Sequence, residues 1–174
     1  MKKPLKSKPP RNAEFAFNRT LRFLTIRPRS QWEVEQYLLI RLKIDDVSAQ
    51  SVLSRVRQLG FVQDETFAAW WIDKALRQKP RSLAFFQKEL KAKHLAQEII
   101  DGAIKRAVGS ASRSTFDLLN AIDLLGRRRR LWTNLEPEER VKKSYGFLAR
   151  RGFSFDVARA AVKRFDNIGY DFVQ

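Results

Sequence analysis

Apolar residues recur along this chain at helical rather than alternating spacing, and turn signals punctuate them at regular intervals. From Glu14 onward, Phe17, Leu21 and Leu24 share one side of a helix predicted near 14–26. Pro28 ends it, because the residue ahead of a proline is driven out of the α region. Ser30 then caps a second helix, with Glu33 completing a capping box and Val34 and Leu38 facing inward. After a KIDD turn, a third helix carries Ala49, Val52, Leu53, Val56 and Leu59 and stops at Gly60. Asp64 is the expected cap of the next helix, which presents Phe67, Ala68, Trp71 and Ala75 and leaves at Pro80. Ser82 opens a helix bearing Phe86 and Leu90. A further helix follows with Ile99, Ile100, Ala103, Ile104 and Ala107, ending at Gly109.

The order is that of a repeat. RPRS at 27–30 returns as KPRS at 79–82, each time between an apolar helix and the next. A third copy emerges when 87–107 is laid without gaps over 145–165: Leu90 falls on Leu148, AIKR on AVKR, and Ile99, Ile100, Ala103 and Ile104 on Val157, Ala158, Ala161 and Val162. Its first helix is expected over roughly 114–131, using Leu118, Leu119, Ile122 and Leu125. Thr133, Asn134 and Pro137 signal the start of its second. The predicted fold is all-α: nine helices in three tandem three-helix repeats, stacked into an elongated, curved array. The expected divisions are a disordered basic arm over 1–13, repeats over 14–62, 63–109 and 110–166, and a tail over 167–174.

Charge changes the picture. There are 35 lysines and arginines against 19 acids, a net charge of +16 with every repeat basic, which points to a polyanionic partner. With no cysteine, disulfides, thiolate metal sites and cysteine nucleophiles are excluded. MKKPLKSKPPRN has no apolar segment after it and is not a secretory signal. The densest apolar run, Phe67 to Ile72, is too short to span a bilayer, so a soluble, cytoplasmic and monomeric protein is expected.

No catalytic constellation is visible. Asp45/Asp46 and Asp64/Glu65 stand at helix starts, where carboxylates cap. His94 is the only histidine and has no partner with which to share a metal, and no glycine loop could cradle a phosphate, so no cofactor is expected. Trp71 is expected in the core. Trp70 is an inter-unit contact or a partner anchor, and Trp32 and Trp132 raise the same choice. The basic residues carry the functional signal. Arg27 and Arg29 flank the first joint; Arg77, Lys79 and Arg81 flank the second; Arg127, Arg128, Arg129 and Arg130 lie near the third. Lys142, Lys143, Arg150 and Arg151 complete the candidate polyanion-binding set. One cation per joint would complement a helix C-terminus, but two or three exceed that need. The pairs Lys105–Arg106 and Lys163–Arg164 end third helices and fit either role.

RPRSQWEVEQYL (27–38), VLSRVRQLGFVQDETFAAWWID (52–73), KPRSLAFFQKELKAK (79–93) and LARRGFSFDVARAAV (148–162) together resemble the RecX family of bacterial recombinase regulators, over about residues 14–166. G-F-V-x-D-E-x-F-A-x-W-W is the most specific part. His94 stands where family members commonly carry glycine, and 108–135, with RRRR inside it, carries no nameable motif, which leaves the exact start of the third unit open. The resemblance implies a non-enzymatic protein of tandem three-helix repeats. It would bind the RecA recombinase–DNA filament along its groove, block its extension or activity, and meet DNA directly or through the filament. A stand-alone DNA- or RNA-binding helical module is the competing expectation.

Overall fold

Ser30, Asp45, Ser82 and Ser112 hold extended backbone and accept the N–H of Glu33, Ser48, Phe85 and Thr115 at 2.9–3.2 Å, so each starts a helix by satisfying an orphan donor. A computed structural model describes residues 13–132 and 134–170, with side chains to 165. The elements are α1 (Ala13–Thr25), α2 (Gln31–Gln36) running into a π-helical turn (Tyr37–Arg41), and α3 (Asp46–Gln58). Next come α4 (Asp64–Gln78), α5 (Leu83–Lys91) and α6 (Gln97–Val108), then α7 (Arg113–Gly126), α8 (Arg129–Trp132), α9 (Pro137–Ala149) and α10 (Phe155–Tyr170). The basic arm lies outside the described residues except for Ala13. So do residues 171–174 of the expected tail, whereas 167–170 belong to α10.

Three separate cores confirm the tandem all-α repeat. The first joins Ala16, Phe17, Val34, Leu38, Val52, Leu53 and Val56. The second joins Phe67, Ile72, Phe86, Leu90, Ile100 and Ile104, and the third Leu125, Phe147, Leu148, Ala161 and Val162. Leu38, Leu90 and Leu148, equivalent under the repeat, are all fully buried. Each turn between second and third helices contains one left-handed residue: Lys43 (φ 55°), His94 (φ 58°) and Gly152 (φ 80°). The first unit has one residue more between its cap and this turn's end, Ser30 to Ile44 against Ser82 to Leu95. The wider π turn takes it up while Ile44 still bonds Leu38 as Leu95 bonds Leu90.

Several expectations need correction. Leu59 is 55% exposed, because α3 ends one residue before it. Leu119 is 58% exposed; Ala121 and Leu124 take the inward positions of α7 with Leu125. Ile72, not Trp71, occupies the deep core, and Trp71 is half-buried beside it. The single helix expected over 114–131 breaks at Gly126, where a poor helix former meets an arginine run with no apolar face to bury. Pro137 stands at the first position of α9, as expected. The cap position before it is Glu136 rather than Asn134, and Thr133 lies outside the described residues.

Candidate polyanion interface at the joints between units

The PRS joint does more than stop one helix and start another. At the first joint the backbone N–H of Gln31, the opening residue of α2, donates to Asp64 Oδ1 at 2.8 Å. Asp64 therefore caps the helix of the preceding unit, while its own helix has Gln63 at the cap position, whose side chain accepts from the Thr66 hydroxyl and caps no backbone N–H. At the second joint Leu83 N–H donates to Asp117 Oδ1 at 2.9 Å, the same device one unit later. Burial pushes both carboxyls above the usual range, and the backbone donor offsets part of that. The turn carrying the left-handed residue docks on the same joint. Ser30 Oγ lies 3.5 Å from Lys93 O, and Ser82 N–H donates to Arg151 O at 3.2 Å.

The two joints differ in charge. Glu33 does not return to Ser30 to close a capping box. It is buried and gripped by Arg27 (2.9 and 3.0 Å) and by Lys93 from the next unit (2.8 Å). Burial alone would raise its pKa, but the hydrogen bonds from Arg27 and Lys93 outweigh that and hold Glu33 below the usual carboxylate range. Arg27 also lies over Trp70, 5.2 Å from its ring centroid, so Trp70 is an inter-unit contact. Trp32 stacks on His94 at 4.8 Å, which makes it one too. Arg29 covers Phe23 at 3.8 Å, and Phe23 stacks on Tyr37 at 4.2 Å. The first joint is thus held by the Arg27–Glu33–Lys93 clamp, while Arg29 rests on a ring with its buried Nε unpartnered.

At the second joint the position equivalent to Glu33 is Phe85 and that equivalent to Lys93 is Arg151. Arg81 lies over Phe85 at 4.5 Å and pairs with Glu89, whose other oxygen accepts from Trp71 Nε1 at 3.1 Å. Arg151 and Arg128 sit 3.9 and 5.2 Å from the centroid of Phe147. Burial, then Arg128, Arg81 and Arg150, push the Arg151 pKa down, so these four guanidiniums share one region. Among the described residues Arg128, Arg150 and Arg151 have no carboxylate partner.

The remaining candidates are dispersed around this centre. Arg127 donates to Arg77 O at 3.1 Å, fastening the arginine run to the end of α4, and pairs with Asp123 at 2.7 Å. Arg77 pairs with Asp73, and Lys79 and Arg130 are exposed. Arg129 is exposed as well. On α9, Lys143 pairs with Glu139 at 2.8 Å and Lys142 is exposed, while the start of that helix carries Glu136, Glu138 and Glu139 in place of the PRS arginine. Sequence reasoning missed Asp117, Lys93 and the clamp on Glu33. Asp117 follows Asp64 at nearly the repeat spacing, and that recurrence was the available signal. Among the described residues no group of three ligating side chains could hold a metal, and no helix is long and apolar enough to cross a membrane.

A profile of the third three-helix domain of RecX matches residues 117–162, from Asp117 on α7 into α10. Regulatory protein RecX of Mycolicibacterium vanbaalenii is 34% identical over 150 residues, which cover 80% of this chain and 78% of that protein. The chain belongs to the RecX family of regulatory proteins. RecX of Streptomyces coelicolor is similar over more of it, 29% identical across 91% of this chain and 82% of that one. The crystal structure of RecX from Lactobacillus salivarius superposes with a TM-score of 0.70 at 16% identity, covering 89% and 97% of the two chains, so the fold is shared where the sequence has diverged. As a RecX this chain is a regulatory protein.

Proposed function

We propose that the chain binds the RecA recombinase–DNA filament along its helical groove and inhibits the recombinase, without catalysing a reaction itself. Membership of the RecX family is the observation that carries this reading, since the family resemblance implies that partner. The architecture supports it. Tandem units place equivalent joints one after another, and a row of joints suits a helical partner whose own subunits recur. Docked units would bridge neighbouring protomers and bias the filament toward an inactive arrangement by differential binding. Arg77, Lys79, Arg81, Arg127, Arg128, Arg129, Arg130, Arg150 and Arg151 are the candidates for acidic filament surfaces, with Lys142 and Lys143 beyond them. Arg27 and Arg29 contribute by holding the first joint closed. Purified protein added to RecA on single-stranded DNA should lower DNA-dependent ATP hydrolysis and strand exchange. No effect at stoichiometric amounts of folded protein would refute the proposal.

A further inference from the structure

The two joints are built on one plan but balance their charges differently. In the first, two cations from different units, Arg27 and Lys93, close on the Glu33 carboxylate. In the second, that carboxylate is replaced by Phe85, while the cations remain and increase: Lys79 and Arg81 stand for Arg27 and Arg29, and Arg151 for Lys93. Arg128 and Arg150 join them. Glu89 is already occupied by Arg81 and Trp71, so it cannot serve the rest. Holding several guanidiniums together, two of them half-buried over one phenyl ring, opposes their mutual repulsion.

We propose that the second joint is an anion site in which a phosphodiester group of a nucleic-acid strand takes the place that Glu33 fills in the first. A backbone phosphate fits better than a single protein carboxylate, because the cations extend beyond the joint. Arg127 ties the run 127–130 to Arg77, so a strand leaving the joint meets further arginines, as a chain with one charge per nucleotide requires. Guanidinium forks also match phosphate oxygens two at a time. The site stands whether or not the chain docks on a recombinase filament.

The test contains no recombinase. A fluorescein-labelled oligothymidylate is titrated with the full chain by anisotropy over a range of salt concentrations. Phe85→Glu restores the missing carboxylate; it should weaken binding at least tenfold and leave the helical circular dichroism intact. Phe85→Gln removes the ring without adding charge and should bind within about threefold of the wild type. Arg128→Gln with Arg150→Gln should lower the slope of log K against log salt by about 1.4, at about 0.7 per single-strand phosphate contact. The same affinity and salt slope in the wild type, Phe85→Glu and the double variant would overturn the proposal. So would equal losses in Phe85→Glu and Phe85→Gln, or displacement of the oligonucleotide by polyglutamate as readily as by unlabelled oligothymidylate.

Discussion

Gly152→Ala measures how the third unit seats on the second. Gly152 is left-handed at φ 80°, and a Cβ built there would lie 2.8 Å from Ser82 Oγ and 3.3 Å from two carbons of Phe85. The backbone contribution is about 1–2 kcal/mol for an L-residue in that region. Ser82 Oγ can escape only by turning away from the Phe85 N–H that it accepts at 3.2 Å, which costs about 1 kcal/mol of helix cap. Together the alanine should destabilise by about 2–3 kcal/mol. His94 supplies the internal comparison, because it occupies the equivalent turn at φ 58° with a full side chain stacked on Trp32. Replacing it by glycine relieves the backbone but loses a ring contact of about 0.5–1.5 kcal/mol, so His94→Gly should fall within about 1 kcal/mol of the wild type. Urea unfolding followed by circular dichroism and tryptophan fluorescence gives both values. If Gly152→Ala unfolded within about 0.5 kcal/mol of the wild type, the tight seating of the turn on Ser82 would be wrong.

Glu33→Gln should cost about 2–4 kcal/mol at neutral pH, since it leaves Arg27 and Lys93 at a buried site without their anion; denaturant titration reads it. Because the folded-state pKa of Glu33 is depressed, its contribution is fully present above the unfolded value near 4.3. It should be lost as pH falls through the lower folded value, as urea midpoints taken at successive acid pH values would show. Asp64 and Asp117 have the opposite sign. Their raised carboxyls contribute most below about pH 3.9 and lose stability as pH rises through the folded values, so Asp117→Asn should flatten that part of the profile while keeping an acceptor for Leu83. Ser144 is fully buried with an unpartnered hydroxyl, at the position that Phe86 fills one unit earlier. Ser144→Ala should therefore be neutral or stabilise by up to about 1 kcal/mol in thermal unfolding.

The repeat was legible because its signals are local: Ser30 and Ser82 cap, Pro28 and Pro80 break, and Leu38, Leu90 and Leu148 return at fixed spacing. What escaped was set by packing between units. Leu59 and Leu119 have the right periodicity but lie where a helix ends or faces water. Asp64 looked like the cap of its own helix, and only tertiary structure could assign its carboxylate to Gln31. The arginines at the joints were read as one class. Packing divides them: Arg27 is clamped by Glu33, Arg77, Arg81 and Arg127 pair with carboxylates of their own, and Arg128, Arg150 and Arg151 have none among the described residues.

Pro137 sets the third unit apart from the first two. In the first two units the leading N–H of the second helix is a socket, filled by an aspartate that arrives with the next unit, 33 and 34 residues downstream. Until Asp64 and Asp117 leave the ribosome, those sockets stay open to water, so the joints should close in order during synthesis. At the same position the third unit has proline, which carries no N–H. There is no socket for a third aspartate to enter. A contact made there would have to use a group other than that leading donor.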